Sequence, residues 1–371
     1  MRELYAARAV RAYAAMQRYF HTRRGRYRRD GRVHMPGSAA HLWPFTRALV
    51  ATLDLAGIGE ALAGGLDIQS EIVDRLRALE RYWDPDRQPP AYSSKHRRRH
   101  LSGDRYYDDN AWVGLALVQH ERMRRGSGCL PRAEELFRFA LDGWGWDQTP
   151  RPGGVFWVEQ GRGTGRRNHD RNTVSTAPNA ELGLHIAELK GGPVEAAGLG
   201  VREMYDWVLE TLDASHGTNA PGTGLFWDKL RGDGTIDRTV WTYNQGSMVG
   251  ANVLLARQAG PDLARHLARA EAIALKALRH FAGAYSRQPP GFNAIFFRNL
   301  LLLHHATADA HLCDAIINAL REYVDWAWSD CRDRRDRFHF PPDGLTLLGQ
   351  SAMVQLLALL AWDPQTYGRL A

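Results

Sequence analysis

Residues 294–303 read Ala294-Ile295-Phe296-Phe297-Arg298-Asn299-Leu300-Leu301-Leu302-Leu303. A helix built on this run is apolar on nearly every face and has no side suited to water, so it belongs in an interior. Ser351-Ala352-Met353-Val354-Gln355-Leu356-Leu357-Ala358-Leu359-Leu360 has the same character. Glu134-Glu135-Leu136-Phe137-Arg138 is different: charge lies on one face and apolar side chains on the other, as in a surface helix. Beyond these runs, apolar residues recur at i, i+3, i+4 and i+7 in twelve segments. They span 3–21, 44–57, 67–82, 108–123, 131–143, 173–190, 194–212, 240–257, 261–283, 292–306, 308–328 and 345–361. The even-numbered segments are the more apolar. Six interior helices alternating with six one-sided ones predict an all-α chain, an (α/α)6 barrel of six inner and six outer helices. No Pro/Gly/Ser linker divides the chain near its middle, so 1–371 is read as a single domain.

Composition is compatible with this. The chain has 371 residues, 44% hydrophobic and 24% charged, enough for a large core. No apolar run reaches the roughly 18 residues a membrane span needs. Met1-Arg2-Glu3-Leu4-Tyr5 opens an amphipathic helix rather than a signal peptide, and a cytoplasmic location is expected. Cys129, Cys313 and Cys331 make neither a disulfide framework nor a metal-ligand spacing. The net charge of +7 comes mostly from arginine, clustered at Arg23-Arg24-Gly25-Arg26-Tyr27-Arg28-Arg29 and Lys95-His96-Arg97-Arg98-Arg99-His100. These are read as solvated loop charges with room for a weak contact to an anionic membrane surface or substrate. No nucleic-acid partner is expected.

The long loops, 22–43, 83–107, 144–172, 213–239, 284–291 and 329–344, all precede inner helices. One end of the barrel therefore gathers them with six helix N-termini, where partial positive charge and free N–H groups favour binding. Polar-aromatic clusters stand at these entrances. The fourth segment opens with Arg105-Tyr106-Tyr107-Asp108-Asp109-Asn110-Ala111-Trp112. An aspartate before a helix is a good N-cap. Two adjacent carboxylates walled by tyrosine and tryptophan also suit acid/base and nucleophilic chemistry on a sugar, whose ring stacks on aromatic faces.

Tyr107-Asp108-Asp109-Asn110-Ala111-Trp112, Gly153-Gly154-Val155-Phe156-Trp157, Gly224-Leu225-Phe226-Trp227-Asp228 and Trp241-Thr242-Tyr243-Asn244-Gln245-Gly246 resemble, in that order, the motifs of glycoside hydrolase family 76, the endo-α-1,6-mannanases. The resemblance covers about 40 to 360. It implies an (α/α)6 barrel, a substrate of α-mannan or mannooligosaccharides, and a retaining mechanism with Asp108 as nucleophile and Asp109 as acid and base. Retention needs carboxyl groups about 5–5.5 Å apart, and repulsion between them raises one pKa. Tyr107, Asn110, Asn179, Trp241, Tyr243, Asn244 and Gln245 are the first candidates for the sugar cleft. Trp43, Trp157, Asp228, Arg298 and Phe340 follow. Family members often carry Asn directly followed by Glu at the sixth-helix entrance. Here Ala180 separates Asn179 from Glu181, which argues against Glu181 as a substrate contact.

The basic loop 159–172 is read as a flexible insertion, with a lid as the alternative. Its Gly161-x-Gly163-x-Gly165 follows no strand-to-helix unit and is no nucleotide site. No spacing suits a metal, and no cofactor is expected. Two other functions share the architecture. A sugar epimerase relies on histidines, for which His41 and His339 are the candidates. A glycan-binding protein needs no catalytic group.

Overall fold

The computed structural model describes residues 1–29, 39–97, 103–146, 151–161, 169–192, 200–215, 224–258 and 262–371. Arg98, Arg99 and His100 of the second basic cluster, residues 162–168 of the basic loop and residues 194–199 of the seventh expected helix lie outside them.

The helices are α1 (Arg2–Phe20), α2 (Leu42–Ala56), α3 (Ile68–Leu79), α4 (Tyr107–Met123), α5 (Leu130–Asp142), α6 (Thr173–Lys190), α7 (Val201–Leu212), α8 (Thr242–Ala256), α9 (Leu263–Phe281), α10 (Pro290–Ala306), α11 (Ala310–Trp326) and α12 (Leu347–Ala361). The even-numbered helices form an inner ring in chain order, and α12 returns to pack on α2. Helices α3, α5, α7, α9 and α11 each cover the inner helix before them, and α1 covers α12. This is the expected (α/α)6 barrel.

Burial follows the two sequence patterns. In α12 every residue but Leu348 is buried. In α9 the buried residues are His266, Ala270, Ile273, Ala274, Ala277 and Phe281, a single stripe at spacings of three and four. Each large aliphatic side chain removed from water contributes about 1.5–3 kcal/mol, which holds the two rings together. The inner helices approach closely: a Cβ on Gly246 of α8 would lie 2.7 Å from Cα of Phe296 in α10. Among the described residues no helix is long and apolar enough to cross a membrane. All three cysteines are free.

In the loops before the inner helices Tyr92, Val155, Phe226, Tyr285 and Phe338 are buried, and their backbone needs partners. The fourth residue of five inner helices supplies them. Asn110 accepts from Tyr92 N at 2.8 Å and donates to Tyr92 O at 3.0 Å. Gln245 treats Phe226 alike, at 2.8 and 2.9 Å. Thr176 accepts from Val155 N, Asn293 donates to Tyr285 O, and Gln350 accepts from Phe338 N. Each side chain pins the loop that precedes its own helix. In α2 the position is Phe45, buried in the core.

Candidate active site

At the end where the inner helices begin lies a pocket of about 760 Å³. Four of these helices present their second residue to it: Trp43, Asp108, Val174 and Tyr243. Asp109, Trp112 and Phe292 reach it as well, as do Tyr106, Trp157 and Asp228 from the loops.

The aspartates sit half-buried in the first turn of α4, whose N-cap is Tyr106. Neither is the N-cap, but Asp108 does answer a free helix N–H. Its Oδ1 accepts from Asp109 N at 2.9 Å, and its Oδ2 accepts from Trp157 Nε1 at 3.2 Å. The Trp157 loop is fixed to the same turn, because Tyr107 N donates to Trp157 O at 3.1 Å. A carboxylate receiving two N–H groups at a helix N-terminus is favoured in its charged form.

Both aspartates have pKa values above the ordinary carboxylate range, for unequal reasons. Burial is the main cause for Asp108, with a smaller push from Asp228, and the N–H donors oppose it. For Asp109 burial leads, the Asp108 charge adds to it, and no donor among the described residues offsets either. Asp109 is therefore the member of the pair that keeps its proton. Asp228, across the pocket, is raised to about 6, chiefly by burial, with Lys229 and the nearby Asn244 amide pulling the other way. Tyr243 stays protonated, because burial and the charges of Asp228 and Asp108 hold its hydroxyl well above its usual pKa.

The aromatic walls are ordered. Tyr243 stacks on Phe292 with centroids 3.8 Å apart and planes 3° from parallel. Trp43 packs on Phe292 at 5.9 Å, and Tyr106 on Trp157 at 5.2 Å. Among the described residues no group of three or more His, Cys, Asp or Glu side chains is placed to hold a metal.

Of the residues expected in the cleft, the structure brings Asp108, Asp109, Tyr243, Trp43, Trp157 and Asp228 together. The others are corrected. Tyr107 is fully buried and stacks on Phe139 of α5, at 4.4 Å, on the outer side of its helix. Asn110 and Gln245 are spent on the loop backbones described above. Asn179 donates to Ser175 O and Tyr107 O inside the core. Asn244 is buried behind Asp228 and outside the pocket lining. Trp241 is the N-cap of α8 and lays an edge on Phe292 without lining the pocket. Phe340 is core, parallel to Phe338. Arg298 lies eight residues into α10, about 12 Å below its start at the helical rise. There it pairs with Asp54 and donates to Gln119 and Ala371 O. Glu181, doubted from the sequence, is buried at that depth, facing Arg298 and Asn299.

Tyr106, Trp112 and Phe292, absent from the expected set, line the pocket. Trp112 was within reach of the sequence, since it follows Asp108 by four residues and so shares its face of the helix. Tyr106 shows no comparable signal, because its placement depends on where the helix begins.

The family model of glycosyl hydrolase family 76 matches residues 4–354. No curated protein matches in sequence. Among solved structures, the family 76 mannosidase Bt3792 of Bacteroides thetaiotaomicron superposes with a TM-score of 0.80 at 21% identity, covering 96% of this chain and 98% of the other. An inactive variant of the α-1,6-mannanase GH76A of Salegentibacter sp. HEL1_6, with two consecutive aspartates changed to asparagine, was solved with α-1,6-mannotriose. It superposes with a TM-score of 0.72 at 17% identity, covering 96% and 99%. Dfg5 of Chaetomium thermophilum, in complex with glucosamine, gives 0.68 at 14% identity, covering 97% and 91%.

Proposed function

The chain belongs to glycosyl hydrolase family 76 and is a glycoside hydrolase, and on that premise we propose that it cleaves α-1,6-mannosidic linkages with retention, using Asp108 as nucleophile and Asp109 as acid and base. The observation that carries this reading is the unlike environment of two adjacent carboxylates. Asp108 holds two N–H donors that favour its anion, whereas Asp109 has none among the described residues and feels the charge of that anion. Environments that drive two carboxylates apart in pKa assign the nucleophile and the acid.

In the first step an Asp108 oxygen bonds to the anomeric carbon as the glycosidic bond breaks. The Asp109 proton passes to the leaving oxygen. In the second step Asp109 takes a proton from water, whose oxygen displaces Asp108 from the anomeric carbon. The Trp157 indole N–H holds the attacking carboxylate. The Tyr243–Phe292 stack and Trp43 offer ring faces to the sugars. Asp228 and the Tyr243 hydroxyl offer polar contacts to sugar hydroxyl groups. The α-1,6 linkage is supported by the mannotriose and mannotetraose held in the Salegentibacter mannanase variants, both inactive with the consecutive aspartates replaced.

The test is digestion of linear α-1,6-, α-1,2- and α-1,3-linked mannooligosaccharides with the purified protein, following products by chromatography. Shortening of the α-1,6 series alone is expected. Cleavage confined to another linkage overturns the specificity, and cleavage of none overturns the reading.

A further inference from the structure

A concentration of uncompensated charge lies beside the pocket mouth, in the chain that leaves α1. Arg23, Arg24, Arg26, Arg28 and Arg29 fall within seven residues, and 21–29 holds no acidic side chain. Arg23, Arg24 and Arg29 are exposed, Arg26 and Arg28 are half-buried, and none of the five makes an ion pair among the described residues. The segment is a tight hairpin. Thr22 N donates to Arg26 O at 2.7 Å, and Arg28 N to Phe20 O at 2.9 Å. Tyr27 enters the core, where its hydroxyl accepts from Arg75 Nε and Gln17 Nε2, both at 2.9 Å. At the tip Arg24 and Gly25 have φ of +61° and +69°, the two left-handed residues that a type I′ turn requires. The first of these positions suits Asn, Asp or Gly and strains an arginine. The turn is built around a residue it disfavours, which points to a use for the guanidinium outside the fold.

A second turn beside it repeats the arrangement. Arg337 lies over the Tyr19 ring at 5.0 Å, which sets the chain of 331–338 against the end of α1. There Asp333 accepts from Arg335 N and pairs with Arg337 and His339, and Asp336 pairs with Arg11 and Arg332. Both acids are consumed, while Arg334 and Arg335 stand exposed without an ion pair among the described residues. Leu347 N donates to Arg29 O at 2.9 Å, which joins the hairpin to the end of this loop. Asp343 is the one acidic side chain of 331–346 left unpaired among the described residues. The patch adjoins the pocket: Ala40 N donates to Tyr27 O at 2.9 Å, and the next residue, His41, is part of the lining.

We propose that these two turns are a docking surface for an anionic phospholipid membrane, which would bring the pocket mouth beside the lipid head groups. Head groups spread over a plane match cations on neighbouring turn tips, and each such cation strengthens binding about fivefold. A single-stranded nucleic acid needs bare rings on which its bases stack. Here Tyr19 lies between Arg18 and Arg337, and Tyr27 is buried. Docking is independent of which linkage the pocket cleaves.

The test is cosedimentation of the whole protein with vesicles of phosphatidylcholine alone and of phosphatidylcholine mixed with phosphatidylglycerol. The wild type is expected to bind the anionic vesicles at least about 100-fold more tightly, and to lose most of that preference as salt rises from about 0.05 to 0.5 M. In Arg23→Gln/Arg24→Gly/Arg26→Gln binding falls about 100-fold. Glycine suits the left-handed position, so the thermal melt of this variant stays at or above that of the wild type. Arg124→Gln/Arg202→Gln/Arg369→Gln removes the same charge from exposed arginines after α4, at the start of α7 and after α12, at the opposite end of the barrel. It is expected to bind within about threefold of the wild type. Equal affinity of the wild type for the two kinds of vesicle overturns the proposal. An equal loss in both triple variants reduces the effect to net charge and overturns it too. Binding of duplex DNA through Arg23, Arg24 and Arg26, without preference between the vesicles, assigns the turns to nucleic acid and likewise overturns it.

Discussion

The second and fourth residues of the inner helices lie two positions apart in sequence and do opposite work. Position two gives the pocket Trp43, Asp108, Val174 and Tyr243. Position four gives the scaffold Asn110, Thr176, Gln245, Asn293 and Gln350, each fastening the loop before its helix. At 3.6 residues per turn the two positions are about 200° apart. When one looks along the barrel mouth into the cleft, the other looks back into the loop packing. A motif such as Tyr107-Asp108-Asp109-Asn110 is therefore two devices in one turn, and only its middle residues line the pocket.

Substitution at position two should cost the most activity. Asp108→Asn and Asp109→Asn are each expected to lower kcat by at least about 10³-fold, with an unchanged thermal melt. Loss of fold in either variant, or near-normal turnover in both, contradicts the division. At position four the expectation is reversed. Asn110→Ala leaves Tyr92 N and O without their partner and is expected to cost about 2–3 kcal/mol of stability. Turnover per folded molecule should stay within a few-fold of the wild type. Urea unfolding together with kcat on the folded fraction checks both halves.

Trp157→Phe sharpens the picture inside the pocket by removing one donor from Asp108. That hydrogen bond favours the carboxylate, so its loss raises the Asp108 pKa further. The nucleophile must be ionised, so the acid limb of kcat/KM moves to higher pH, and kcat at neutral pH falls about tenfold. In the wild type that limb should already lie above the ordinary carboxylate range, because burial raises Asp108. The alkaline limb reports loss of the Asp109 proton and lies higher still. A limb that stays in place in Trp157→Phe removes the indole from the mechanism. The smallest effect is expected at Trp43→Ala, which takes away a ring face: KM rises about fivefold with kcat nearly unchanged.

The two-ring architecture was legible because burial leaves its mark on every turn. Ala294–Leu303 has no polar face, and Glu134–Arg138 has one. Helix ends were found within a few residues where Pro, Gly or a change of period marks them. The site was legible as a set of motifs but not residue by residue. Tyr107 and Tyr106 are identical in type, and only the start of α4 decides which faces the pocket. Asn110, Asn179 and Gln245 look like sugar-binding amides in sequence, since the same amide chemistry serves a hydroxyl group and a buried backbone alike. Arg298 was misplaced for another reason. Its motif begins at the pocket end, but the side chain stands two turns deeper, where it meets Asp54 from α2. Such a partner is 244 residues away in the chain and leaves no local trace.

A double displacement on an α-mannoside by Asp108 and Asp109 would leave its signature in the anomer of the first product. Proton NMR of the first products released from an α-1,6-mannooligosaccharide, recorded before mutarotation, reads that anomer. If the two aspartates act in this way, the newly formed reducing end appears first as the α anomer, and no product signal grows in Asp108→Asn. The β anomer appearing first, or undiminished product from that variant, would contradict it.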